Sequence, residues 1–129
     1  MMRTRNPAVA MFVFALLAVS APSGAAVWRV EKDGSGDFTV IQDAVDAAAD
    51  GDTLMIGPGR FDDYRRYDFP YWTNRIIHIL LDGRSLTMIG SGEGITVIGP
   101  TTEFPQTEHD NGIVLILGAE LHLSNITLE

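Results

Sequence analysis

The stretch "HILLDGRSLTMIG", residues 78–90, meets a counterpart 35 positions later in "IVLILGAELHLSN", residues 113–125. The offset sets Gly83 on Gly118, Leu86 on Leu121, Met88 on Leu123 and Gly90 on Asn125, with Ile79 and Leu81 on Val114 and Ile116. Physical role recurs here more than identity. Residues that tolerate a left-handed backbone match one another, and the alternating apolar positions keep their phase. Each unit reads as strand, glycine corner, strand, Gly or Asn corner, strand. A unit of this kind buries its inward side chains only by stacking on the next.

Outward from this pair lie further short apolar segments: "VWRVE" at 27–31, "TLMI" at 53–56, "ITVI" at 95–98 and "ITLE" at 126–129. Each is bounded by Gly, Pro, Asn or Asp, and no helix-length amphipathic segment separates the later ones, which argues against alternating βα units. One helix is expected, in "TVIQDAVDAAAD" at 39–50. Ile41, Ala44, Val45 and Ala48 form an apolar stripe, while Gln42, Asp43, Asp46 and Asp50 face elsewhere. Thr39 and Gln42 have capping-box spacing, and Gly51 stands where the helix can end on a positive φ. The fold expected is all-β, a right-handed parallel β-helix solenoid with an N-terminal amphipathic capping helix at about residues 40–50. Such a piece is expected to associate through an uncapped C-terminal edge.

Residues 1–26 are set apart. Arg3 and Arg5 precede the apolar run "PAVAMFVFALLAVSA", too short to span a bilayer comfortably, and Gly24 and Ala26 suit an A-x-A-like cleavage site. A signal peptide, export and no membrane attachment after cleavage are expected. All 17 acidic residues and only seven of the nine basic ones follow residue 26, which leaves residues 27–129 at a net charge of −10. Nucleic acid is therefore not an expected partner. With no cysteine, the domain closes its own core without disulfides, which suits a bacterial exported protein.

The order "VWRVEKDGSGDFTVIQDAVDAAADGDTLMIGPGRF", 27–61, followed by "SLTMIGSGEGITVIGP" and "GIVLILGAELHLSNITLE", resembles the N-terminal segment of pectin methylesterases and of the wider secreted pectin-lyase-like proteins. The resemblance implies the N-terminal cap and first coils of a longer β-helix that acts on or binds polysaccharide. In that family the catalytic aspartates and a supporting glutamine lie beyond the part that resembles "NITLE", so no catalytic residue carries over. The alternative is a non-catalytic cell-surface or adhesion repeat protein.

"RFDDYRRYDFPYWTNR", 60–75, reads as a long insertion with six aromatics. Its rings either pack on the flank of the domain or offer faces to a sugar chain or a protein partner. Tyr71 and Trp72 are the candidate substrate-binding residues. "GSGEG", 90–94, lacks the third glycine and the following helix of a dinucleotide loop and reads as a corner. His78 and His122 are expected to point outward, and His109 sits in a polar loop. No histidine pair has ligand spacing, so no metal and no cofactor are expected. Asp50 with Asp52, and Asp62 with Asp63, read as turn residues. Arg60, Arg65, Arg66, Arg75 and Arg84 are interleaved with acids and read as a mixed-charge surface.

Overall fold

The computed structural model describes residues 24–103 and 111–129. Nearly all of the expected signal segment, and the loop with His109, lie outside these residues. The elements run β1 (Val27–Val30), α1 (Ile41–Ala47), β2 (Thr53–Ile56), β3 (Gly59–Phe61), β4 (Arg65–Phe69) and β5 (Trp72–Asp82). They continue with β6 (Leu86–Ile89), β7 (Thr96–Ile98), β8 (Gly112–Leu117), β9 (Leu121–Ser124) and β10 (Thr127–Leu128).

The strands form three small sheets, ordered β1-β2-β6-β9, β3-β7-β10 and β4-β5-β8. The first two are parallel throughout; the third is mixed, because β4 pairs antiparallel with β5 while β8 pairs parallel with it. The all-β right-handed parallel β-helix solenoid expected from the repeat is corrected by these findings. The described residues make a small mixed α/β domain of several sheets and one short helix, not a single solenoid. Two features account for the difference. Residues 65–75 are hydrogen-bonded into a hairpin that runs against the parallel direction. In addition, α1 inserts Ile41, Ala44 and Val45 into the same core that the strands build.

The 35-residue offset itself reappears as strand register. Ile79 pairs with Val114, Leu81 with Ile116, Leu86 with Leu121 and Met88 with Leu123. The corners also match in backbone: φ is +68° at Gly83 and +58° at Gly118, and Asn125 takes +57°. Gly90 differs from its counterpart Asn125. Its φ is not in the left-handed region, and what it needs is space, since a Cβ there would stand 2.2 Å from the Asn125 carbonyl oxygen. In this "GSGEG" corner, the Ser91 amide donates to Thr96 Oγ1 at 2.8 Å, and that hydroxyl donates to the Gly57 carbonyl at 2.9 Å. The loop is spent on holding strands together.

The helix departs from its expected ends. Val40 is the N-cap residue and no side chain caps it; the Thr39–Gln42 box is absent. Gln42 turns inward instead, accepting from the Leu80 amide at 2.8 Å and donating to the Leu80 carbonyl at 3.0 Å, so its buried amide is satisfied by β5. The helix stops at Ala47, ahead of Gly51, whose φ of +86° serves the next turn. Arg84 closes the open carbonyls, donating to Ala48 at 2.6 Å and Asp46 at 3.2 Å, where a cation also suits the negative end of the helix. Seven residues cannot hold a helix alone, so its stability comes from the buried stripe Ile41, Ala44, Val45 and Ala48.

Asp52, read as a turn residue, is buried and organises the start of the domain. Its carboxylate accepts from the amides of Ala26 and Ala49, both at 2.8 Å, and from Trp28 Nε1 at 2.9 Å. The Trp28 bond, with the Ala49 and Ala26 amides, holds its pKa below the ordinary aspartate value. Trp28 in turn meets Phe38 with ring centroids 5.7 Å apart.

Candidate functional site: an aromatic groove beside a hairpin

In "RRYDF", 65–69, Tyr67 and Phe69 alternate with Arg66 and Asp68, the pattern of a strand with unlike faces. Pro70 and Tyr71 make the turn, and Trp72 restarts the chain antiparallel, paired with Phe69. A proline at this turn supplies no positive φ, so the twist is adjusted nearby. Asn74 takes φ +59°, and the register shifts between Tyr67 and Phe69. Asp68 accepts from the Asn74 amide at 2.7 Å, and Arg66 donates to Asn74 Oδ1 at 2.7 Å. The hairpin is moored to the helix by Arg65, whose guanidinium reaches Asp43 at 2.5 Å and Asp46 at 2.6 Å. Asp46 foremost, then Asp43, raises the pKa of Arg65.

The rings line up along this hairpin. Tyr67 stacks on Phe69 at 6.2 Å between centroids, and Phe69 meets Trp72 edge-on at 6.4 Å and 75°. Beside them opens a groove of about 290 Å³, walled by Phe69, Trp72, Arg75 and Ile77 of the hairpin and by Gly112, Val114 and Leu115 of β8. Gly112 lies opposite Ile77 in the ladder, and a Cβ there would meet nothing closer than the Val114 carbonyl oxygen at 3.9 Å. The groove therefore exists partly because position 112 carries no side chain. Trp72 is half exposed at its wall, and Tyr71 projects from the turn with 93% of its surface in solvent. The two candidate residues are thus adjacent in space as in sequence, but only Trp72 belongs to the concavity.

Of the other groove residues, Phe69 was read only as one of six aromatics, Arg75 as part of a mixed-charge surface and Val114 as a repeat position, and Gly112 and Leu115 were not singled out. The 35-residue offset carried the signal, because it places 112 beside 77 and 114 beside 79.

His78 does not point outward as expected: it is 3% exposed. Strand alternation fails here because both faces of β5 are covered. Ile76, Ile77, His78 and Ile79 are buried in succession, and around His78 stand Tyr64, its ring 6.1 Å away, and Asp63 with the start of α1. Burial pushes its pKa below the usual histidine value, opposed by a backbone hydrogen bond with Gly112 and by the charges of Asp62 and Asp63. His122 is exposed as expected, with Glu120 at 3.9 Å.

The carboxylate pairs serve structure. Asp50 accepts from the Ser85 amide at 2.7 Å, Asp52 has the three donors above, and Asp62 lies 3.7 Å from Lys32. Among the described residues, no three His, Asp or Glu side chains gather where they could hold a metal ion, and no helix is long and apolar enough to cross a membrane. Comparison with known proteins returns no family model, no curated protein and no solved structure that matches the chain.

Proposed function

We propose that this chain is exported and binds a polysaccharide, with the sugar chain lying in the groove between the β4–β5 hairpin and β8. The observation that carries the reading is the union of an aromatic wall, Phe69 and Trp72, with a cationic donor, Arg75, in one open concavity of about 290 Å³. Sugar rings present apolar C–H faces and polar hydroxyl rims. An indole plane suits the first, and a guanidinium with five N–H donors suits the second. A volume of this size takes a short stretch of chain, not an isolated small metabolite enclosed on all sides. Tyr71, exposed in the turn just before Trp72, takes the sugar units that extend beyond the groove. The reading is of binding; no described carboxylate pair flanks the groove to cleave a glycosidic bond.

Two substitutions test it by calorimetric titration against a panel of neutral and acidic polysaccharides. Trp72→Ala is expected to weaken binding by about 2 kcal/mol, roughly thirtyfold in Kd, as for a central aromatic anchor. Gly112→Leu adds bulk where the backbone has room, and is expected to block the groove while leaving the melting temperature nearly unchanged. Tyr71→Ala is expected to have the smaller effect. Binding that survives both Trp72→Ala and Gly112→Leu would exclude this groove.

A further inference from the structure

We infer that the expected signal segment is cut between Ala25 and Ala26, and that the α-ammonium group created on Ala26 forms an ion pair with the buried carboxylate of Asp52. The inference rests on the export proposed above and is independent of the groove.

The sequence permits two cuts. Small residues are wanted at the first and third positions before the bond, and Ala26 with Gly24 meet that need for a cut before Val27. Ala25 with Ser23 meet it equally for a cut one bond earlier. The fold separates the two. The Ala26 carbonyl accepts from the Thr53 amide at 2.9 Å, which extends the β1–β2 ladder by one bond beyond the Val27–Thr53 pair. The Ala26 nitrogen donates to Asp52 Oδ1 at 2.8 Å. A cut before Val27 discards both bonds and takes from the Thr53 amide its acceptor. A cut before Ala26 keeps both, and the residues it discards, Gly24 and Ala25 among them, are exposed where they are described.

Asp52 supplies the second reason. It is 4% exposed, yet its donors among the described residues are all neutral: the Ala26 and Ala49 amides and Trp28 Nε1. Burying a carboxylate is costly, and a cation with good geometry offsets more of that cost than neutral donors do. The charges closest in sequence have partners of their own: Arg29 stands 3.9 Å from Glu31, and Asp50 accepts from the Ser85 amide at 2.7 Å. Hydrolysis supplies the cation. A peptidase of the export machinery adds water across the Ala25–Ala26 peptide bond, leaving a carboxylate on Ala25 and an ammonium on Ala26. The nitrogen that already lies 2.8 Å from Oδ1 thereby turns from a neutral donor into a charged one. Hydrogen bonds of the charged kind are about twice as strong. Removing the signal segment and fastening β1 to the turn before β2 are then one event.

The test starts from the full chain, expressed in a bacterium and fractionated, with the exported form read by intact mass and N-terminal sequencing. Ala26 is the expected first residue. Val27 or any other first residue overturns the inference and leaves export standing, whereas a chain that stays uncut inside the cell overturns both. The ion pair is then read on the exported protein carrying Lys32→Arg, in which the α-amine is the one amine left. Acetylation restores a neutral amide there and removes only the charge. The melting temperature at pH 7 is expected to fall by about 4 °C or more on acetylation. In Asp52→Asn it is expected not to change. No fall with Asp52 present, or an equal fall in Asp52→Asn, overturns the pair. Where Asp52→Asn does not fold, titration of the α-amine replaces it: a midpoint above the ordinary value of about 8 is expected, and an ordinary midpoint overturns the pair.

Discussion

Three buried polar side chains, Gln42, Asp52 and His78, show what single residues do here that their neighbours in sequence do not announce. Each was expected on a surface or in a turn. Gln42 and Asp52 are buried because backbone groups distant in the chain, Leu80 for one and Ala26 for the other, need partners. Those partners become visible only once strands are in register. His78 illustrates the energetic consequence. Its folded pKa lies below the unfolded value of about 6.5, so the native state favours the neutral ring. The stability this gives is present above that value and is lost as pH falls through the folded pKa. The melting temperature of the wild type should therefore drop between pH 7 and 5, and the drop should be smaller in His78→Gln. Identical pH profiles would show that His78 does not titrate against folding. Asp52, its pKa also lowered, adds the same sign of dependence further down, below the ordinary aspartate value of about 3.9.

At the scale of elements, the helix and most strands were legible because their periods differ. Ile41, Ala44, Val45 and Ala48 repeat at helical spacing and are all buried; "LTMI" and "LHLS" alternate and form β6 and β9. The helix ends were not legible, because Arg84 closes one end from 36 residues away and nothing caps the other. The hairpin was also missed, although Tyr67 and Phe69 alternate with Arg66 and Asp68, because the density of charges and rings in "RFDDYRRYDFPYWTNR" resembles an insertion more than a strand pair. Since α1 contributes core residues instead of covering a finished structure, Val45→Asp should destabilise the whole domain by more than about 3 kcal/mol, the cost of an unpaired buried charge. Urea denaturation measures it, and a midpoint equal to that of the wild type would show that the stripe is not packed.

At the scale of the molecule, the parallel pairing at a 35-residue offset was readable from sequence, and the way the sheets combine was not. Register depends on alternation and corner residues, which are local. Whether the pieces close into one solenoid depends on how residues 62–75 return to the sheet. They return antiparallel, and that reversal yields a mixed sheet and, beside it, the groove. Of the groove, Trp72 was legible as a large ring in a polar setting. Gly112, whose missing side chain opens the space, was hidden because its meaning comes from Ile77 across the ladder. The central claim is that this groove receives a sugar chain. The most direct measurement is amide and indole chemical-shift mapping of the labelled protein during titration with the polysaccharide that binds best. The account predicts shifts concentrated at Phe69, Trp72, Arg75, Gly112 and Val114; shifts gathered elsewhere, or none with any polysaccharide tried, would contradict it.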